Sequence, residues 1–95
     1  MLKIDVSHAH DATSFTVQGR LVGPWVCELE RCWRDAGEIE PLTPISVSLA
    51  AVTFVDPAGL ELLTRMRRTG VTLVPKGVLM EAIVREIEDE VGREQ

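Results

Sequence analysis

The sequence has no apolar run long enough to cross a bilayer. Its longest uncharged stretch, Pro41 to Val55, is interrupted by Pro, Ser and Thr, whereas a spanning helix needs about 20 predominantly apolar residues. It also lacks a basic excess: ten Lys and Arg against fifteen Asp and Glu leave a net charge of -5 and a pI near 4.9. That balance excludes nucleic acid as the main partner, because phosphate binding requires a basic stripe and counterion release. The one basic cluster, Arg65, Arg67 and Arg68, fans across a solvated helix face. Cysteine is scarce, with only Cys27 and Cys32. On one helix their offset separates them by about 140° of arc, which suits neither a disulfide nor a shared metal, so reduced thiols are expected, at least one of them in the core. The opening segment Met1 to Asp5 carries an acid where a secretory leader would carry apolar residues, and a soluble cytoplasmic protein without membrane insertion is expected.

The chain is equally poor in catalytic patterns. It contains no phosphate-binding loop, no dinucleotide fingerprint, no nucleophile elbow, and no Cys or Ser paired with a suitable His, so no enzyme is expected. His8 and His10 flank Ala9 beside Asp11, but without a further ligand at suitable spacing they predict neither a metal site nor a cofactor. The carboxylates from Glu86 to Glu90 form a solvated helical charge run rather than an acid and base pair.

What is present is an ordinary globular composition, 45% hydrophobic and 26% charged over 95 residues, which implies one domain spanning residues 1–95. Leu2, Ile4 and Val6 alternate with polar residues, and after a short polar stretch Phe15, Val17 and Leu21 do the same; the pattern predicts an antiparallel β-hairpin. Pro24 suits a first helical position. Trp25, Leu29, Cys32, Trp33 and Ala36 then recur at helical spacing up to Gly37, which is expected to cap the helix. The run from Ile45 to Val55 predicts a central strand, with small residues on its second face suited to cover by helices. Asp56 and Pro57 are good N-cap and first-turn residues, and Ala58, Leu62, Leu63 and Met66 form the expected inner stripe of a helix closed by Gly70. Val71 to Val74 predicts a short strand. The final helix is expected to bury Leu79, Ala82, Ile83, Ile87 and Val91. The order is β-β-α-β-α-β-α, an α/β layer of four strands with right-handed crossovers.

Two blocks in this order carry a family resemblance. Phe15-Thr16-Val17-Gln18-Gly19-Arg20-Leu21 and Val52-Thr53-Phe54-Val55-Asp56-Pro57-Ala58-Gly59-Leu60 resemble the signature blocks of STAS domains, the sulphate-transporter and anti-sigma-factor-antagonist family. The second block is the more specific, since a hydrophobic strand, Asp, two small residues, Gly and Leu occur at fixed spacing. The resemblance spans Leu2 to Ile87. It implies a mixed sheet with helices mainly on one side and a switch loop from Asp56 to Gly59. In bacterial anti-sigma factor antagonists of this family, the residue before that Gly is a Ser or Thr phosphorylated by a partner kinase. Here it is Ala58, preceded by Pro57, and neither can accept phosphate. The nearby hydroxyls of Thr53 and Thr64 are read as structural rather than as acceptors.

The function this implies is a non-catalytic protein-interaction module of transcriptional regulation. It would dock a partner through Asp56, Pro57, Ala58 and Gly59 and through the outer face of the following helix at Leu60, Glu61, Thr64 and Arg65. The implied partner is an anti-sigma factor with serine-kinase activity. Two other readings stand beside it: an accessory subunit bound to the ATPase of an ABC-type lipid transporter, and a domain that binds a small ligand such as a nucleotide or lipid. A second copy of the chain is a further candidate partner.

Overall fold

The computed structural model describes residues 2–9, 11–39 and 41–94. Strands β1 (Leu2–His8) and β2 (Thr13–Leu21) form the expected hairpin; helix α1 (Pro24–Ile39) leads to β3 (Ile45–Val55), α2 (Pro57–Arg68), β4 (Thr72–Val74) and α3 (Val78–Arg93). The sheet order is β1-β2-β3-β4. β1 runs antiparallel to β2, whereas β2 with β3 and β3 with β4 are parallel. Both parallel crossovers step the same way across the sheet, so a common right hand places α1 and α2 on the same side.

That side holds the core. Phe15, Val17 and Leu21 of β2 and Val47, Leu49 and Val52 of β3 meet Leu29 of α1, Leu62, Leu63 and Met66 of α2, and Met80 and Ile87 of α3. The other face is open. Ser14, Thr16, Gln18, Ala50 and Thr72 are exposed there, so the small residues of β3, expected beneath helices, face solvent. Burial along β3 does not alternate throughout, because the register with β2 shifts between Thr16 and Gln18 and again between Gly19 and Arg20. Each extra residue in β3 reverses its pleat, which turns both Ala50 and Ala51 outward and brings Val52 back into the core.

Three helical expectations are corrected. Helix α1 runs through Gly37 to Ile39, and Gly37 does not take a left-handed conformation; a glycine inside a helix costs only about 1 kcal/mol, and the firmer barrier is Pro41 beyond it. Val26 is buried on α1, while Trp25, Cys32 and Trp33 are half-buried against the core. In α2, Ala58 is exposed and Gly59 takes the inward position. In α3, Met80, Val84 and Ile87 are buried, whereas Leu79 and Ala82 are exposed. The sequence is apolar at nearly every position from Val78 to Val84, so its first turn does not define which phase of the stripe faces the sheet.

The end of α2 follows expectation. Gly70, with φ of 105°, donates to the Arg67 carbonyl at 3.0 Å, and Val71 donates to the Met66 carbonyl at 3.1 Å. These paired bonds satisfy the last carbonyls of the helix and turn the chain into β4.

Candidate functional site

The site lies at the carboxyl end of the parallel strands, where β2 hands over to α1 and β3 to α2. Asp56 organises it. Its Oδ1 accepts the Gly59 N–H at 2.7 Å, capping α2, and its Oδ2 accepts the Gly23 N–H at 2.9 Å. Its own N–H donates to the Leu21 carbonyl at 3.1 Å, and its carbonyl accepts the first helical bond from Leu60 at 2.9 Å. The amides of Gly23 and Gly59 hold the carboxyl below the ordinary aspartate range, because hydrogen bonds to the charged form favour it. Gly23 reaches this position with φ of 53°, a conformation that costs a glycine little.

Gly59 brings the first turn of α2 onto the strand ends. A Cβ there would meet the Leu21 carbonyl oxygen at 2.8 Å and carbons of Leu21 and Val55 at 3.0 Å. Its missing side chain therefore serves internal packing, and Gly59, expected on the docking face, is buried. Thr64 is corrected in the same way: it is buried, with its hydroxyl donating to the Leu60 carbonyl at 2.8 Å. Arg65 stays partly exposed but is engaged within the domain. Its guanidinium donates to both carboxylate oxygens of Glu30 on α1, at 3.2 and 3.3 Å, and Arg34 donates to the same carboxylate at 3.1 Å. These cations, Arg65 foremost, hold the Glu30 carboxyl below its usual range. The pair borders a cleft of about 540 Å³ near the opposite end of α2, walled by Trp33, Ile45 and Val71.

Of the expected docking residues, Pro57, Ala58, Leu60 and Glu61 remain exposed together on the first turns of α2, with Asp56 half-exposed beneath them. Leu60 is 38% exposed, as its offset from the inner stripe indicates. Two apolar residues at the start of α3 lie at the same end of the molecule, Val78 and Leu79, exposed by 87% and 56%, although Leu79 was expected to be buried. Helices α2 and α3 both follow the carboxyl ends of parallel strands, and their far ends are tied by Arg68 to Glu94 at 2.7 Å. Their first turns therefore share one end of the domain. The signal for Val78 and Leu79 was an apolar surplus on one helix, which cannot all be buried on one face.

Among the described residues, no three His, Cys, Asp or Glu side chains come together as a metal site. His10 lies outside those residues. No described helix is long and apolar enough to cross a membrane. Cys27 is exposed and Cys32 half-buried, both as free thiols, and burial raises the Cys32 thiol above its ordinary value.

This architecture defines a class: a mixed α/β domain with its helices on one side and a capped helix start at the end of its central strand. It is the fold of anti-sigma factor antagonists. The crystal structure of an anti-sigma factor antagonist from Mycobacterium paratuberculosis superimposes with a TM-score of 0.71 at 21% identity, over 81% of this chain and 69% of that one. An uncharacterized protein with a SpoIIAA-like fold from Shewanella loihica matches with a TM-score of 0.57 at 12% identity, over 88% of this chain and 74% of that one. No family model matches the sequence, and no curated protein matches it.

Proposed function

We propose that the chain is a non-catalytic protein-interaction module acting as an anti-sigma factor antagonist in the cytoplasm, and that it docks its partner through the first turns of α2. The exposed group of Pro57, Ala58, Leu60 and Glu61 supplies the contact surface, with Val78 and Leu79 extending it. Asp56, Gly59 and Thr64 support that surface from behind, and Arg65 ties the later turns of α2 to α1. A small domain that leaves apolar side chains exposed at one end has a feature common to docking sites.

The observation that carries the reading is the placement of Ala58. It is exposed, one residue before the buried Gly59 on which the helix start rests, and it offers a methyl group where the resembling antagonists carry a phosphorylatable hydroxyl. A phosphate there would add close to two negative charges to the contact. This module has no such off-switch at Ala58, and its occupancy follows the abundance of chain and partner.

Affinity capture of the intact chain from its native cytosol tests the proposal. The expected product is an ATP-binding anti-sigma factor of the serine-kinase type, lost on Leu60→Asp and retained on substitution of Glu94 at the far end. Recovery of an ABC-type ATPase instead would assign the same surface to a transporter. Incubation with the captured kinase and ATP should leave the mass unchanged; a phosphate on residues 56–60 would overturn the unswitched reading.

A further inference from the structure

The sheet ends in two edges that are built differently. β4 is three residues long, pairs only with Ser46 to Ser48, and is followed at once by Pro75. Such brevity and a nearby proline blunt an edge. β1 is seven residues long, pairs with β2 in unbroken register, and has no proline. Its outer edge meets no other strand among the described residues. An edge of this kind is a template for another strand unless charge, bulge or cover prevents it.

Cover is incomplete on the helical side as well. β1 makes its substantial contacts with β2 alone, and the helical cover, complete over the buried Leu2, thins toward Val6. Ile4 is half-buried and Val6 is 42% exposed, although both point to the core side. Beside them a groove of about 200 Å³ runs between β1 and α1, lined by Val6, Cys32, Ala36 and Ile39 and rimmed by His8 and Asp35, and Ile39 is 69% exposed. The apolar stripe of β1 is thus covered at Leu2 and left partly open at Ile4 and Val6.

We infer that what completes it is the β1 edge of a second copy, paired antiparallel about a two-fold axis centred on Ile4. A closed two-fold keeps both helical layers on the same side of the joined sheet, which requires a whole residue at the centre. Centring on Lys3 or Asp5 would set like charges against each other on the axis. Centring on Val6 would leave Lys3 unmatched. Centring on Ile4 sets Ile4 against its own copy, Leu2 against Val6, and Lys3 against Asp5 twice over. The apolar pairs then lie on the helical side and the charge pairs on the open side, where Lys3 and Asp5 are both largely exposed and only loosely paired within one chain, at 4.0 Å. Opposite charges directly across a strand pair stabilise it, and like charges oppose it. The two four-stranded sheets become one of eight strands, with the α1 flanks at Cys32 and Ile39 covering the seam. The first turns of α2 stay clear of this edge, so dimerisation and partner docking are separate properties.

Sedimentation equilibrium of the full chain over a wide concentration range tests the inference. The expected result is a reversible monomer–dimer equilibrium, and a monomer throughout would overturn it. Lys3→Asp and Asp5→Lys, both at exposed positions, should each retain the native circular dichroism yet weaken self-association by about tenfold or more. An equimolar mixture of the two should form a heterodimer in native mass spectrometry, because acidic residues at positions 3 and 5 of one chain then face lysines on the other. Self-association unchanged in the single variants, or no heterodimer in the mixture, would refute the Ile4-centred register. Leu60→Asp should leave the dimer intact while removing the captured partner; loss of both would refute their independence.

Discussion

The Asp56 carboxylate reaches the backbone of Gly23 across the end of the sheet, with Oδ2 accepting its N–H at 2.9 Å while Oδ1 caps α2 through Gly59 at 2.7 Å. One side chain thereby fixes the entry to α2 and the turn that opens α1. Both of its oxygens are engaged within the domain, so in the proposed docking its contribution is indirect: it sets the angle at which Pro57, Ala58 and Leu60 are exposed.

Asp56→Asn tests this double role. Asparagine is a competent N-cap, but it has a single acceptor oxygen, and one of the two glycine amides loses its partner. Thermal unfolding should occur lower by on the order of 5 °C. The acid limb should change too. Asp56 and Glu30 have folded pKa values below their ordinary ones, so their stabilisation is complete above the usual carboxylate range of about 4 and is lost as pH falls through the folded values. Stability should therefore be insensitive to these two groups at neutral pH and fall in stronger acid, with a shallower fall in the asparagine variant. Denaturant titrations at a series of acidic pH values measure both slopes.

Two glycines should respond oppositely to alanine. At Gly59 the new methyl group meets a backbone carbonyl oxygen at 2.8 Å, which cannot move without displacing β2. Gly59→Ala should cost about 2 kcal/mol or more and also weaken partner capture by tilting α2. At Gly37 a Cβ meets nothing within 4 Å and the residue is helical, so Gly37→Ala should stabilise by about 0.5–1 kcal/mol. Urea unfolding of both variants gives the comparison.

The contrast shows what was legible in the sequence. Element order, the hairpin, the α2 cap and its closure follow from alternation, Asp56-Pro57 and Gly70, all of them local signals. Gly37 misled because a helical glycine and a capping glycine look alike until tertiary contacts hold the next turn. The exposure of Ala58 and burial of Gly59 and Thr64 depend on the angle at which α2 meets the sheet, which is set by close approach to Leu21, a residue far away in sequence. The Asp56 to Gly23 bond and the Glu30 to Arg65 pair join positions more than thirty residues apart; no periodicity marks either of them. Leu60 was visible because it falls off its own helix stripe.

The Glu30 to Arg65 pair ties α1 to α2 by two parallel hydrogen bonds, and Arg34 shares the acceptor. Arg65 is 41% exposed on its side chain, so solvent screens much of the attraction and the net contribution is about 0.5–1 kcal/mol. Arg65→Met should lower stability by about that amount and reduce its dependence on ionic strength. Partner capture should persist, because the guanidinium faces α1 and not the exposed first turns of α2. Loss of capture without loss of folding would return Arg65 to the docking surface.

Ala58 separates stability from recognition. It lies in the first turn of α2, where the helix dipole favours negative charge, so Ala58→Asp should leave thermal stability unchanged or slightly raised. The same aspartate places a negative charge at the exposed position where the resembling antagonists carry phosphate, and it should reduce partner binding sharply. Ala58→Ser should bind as the parent chain does and, with the captured kinase and ATP, gain the mass of one phosphate together with the loss of binding. Thermal melts paired with binding titrations of the three chains decide the matter. Full binding by Ala58→Asp would mean that the partner does not touch this turn, and the docking surface would have to be sought elsewhere on the domain.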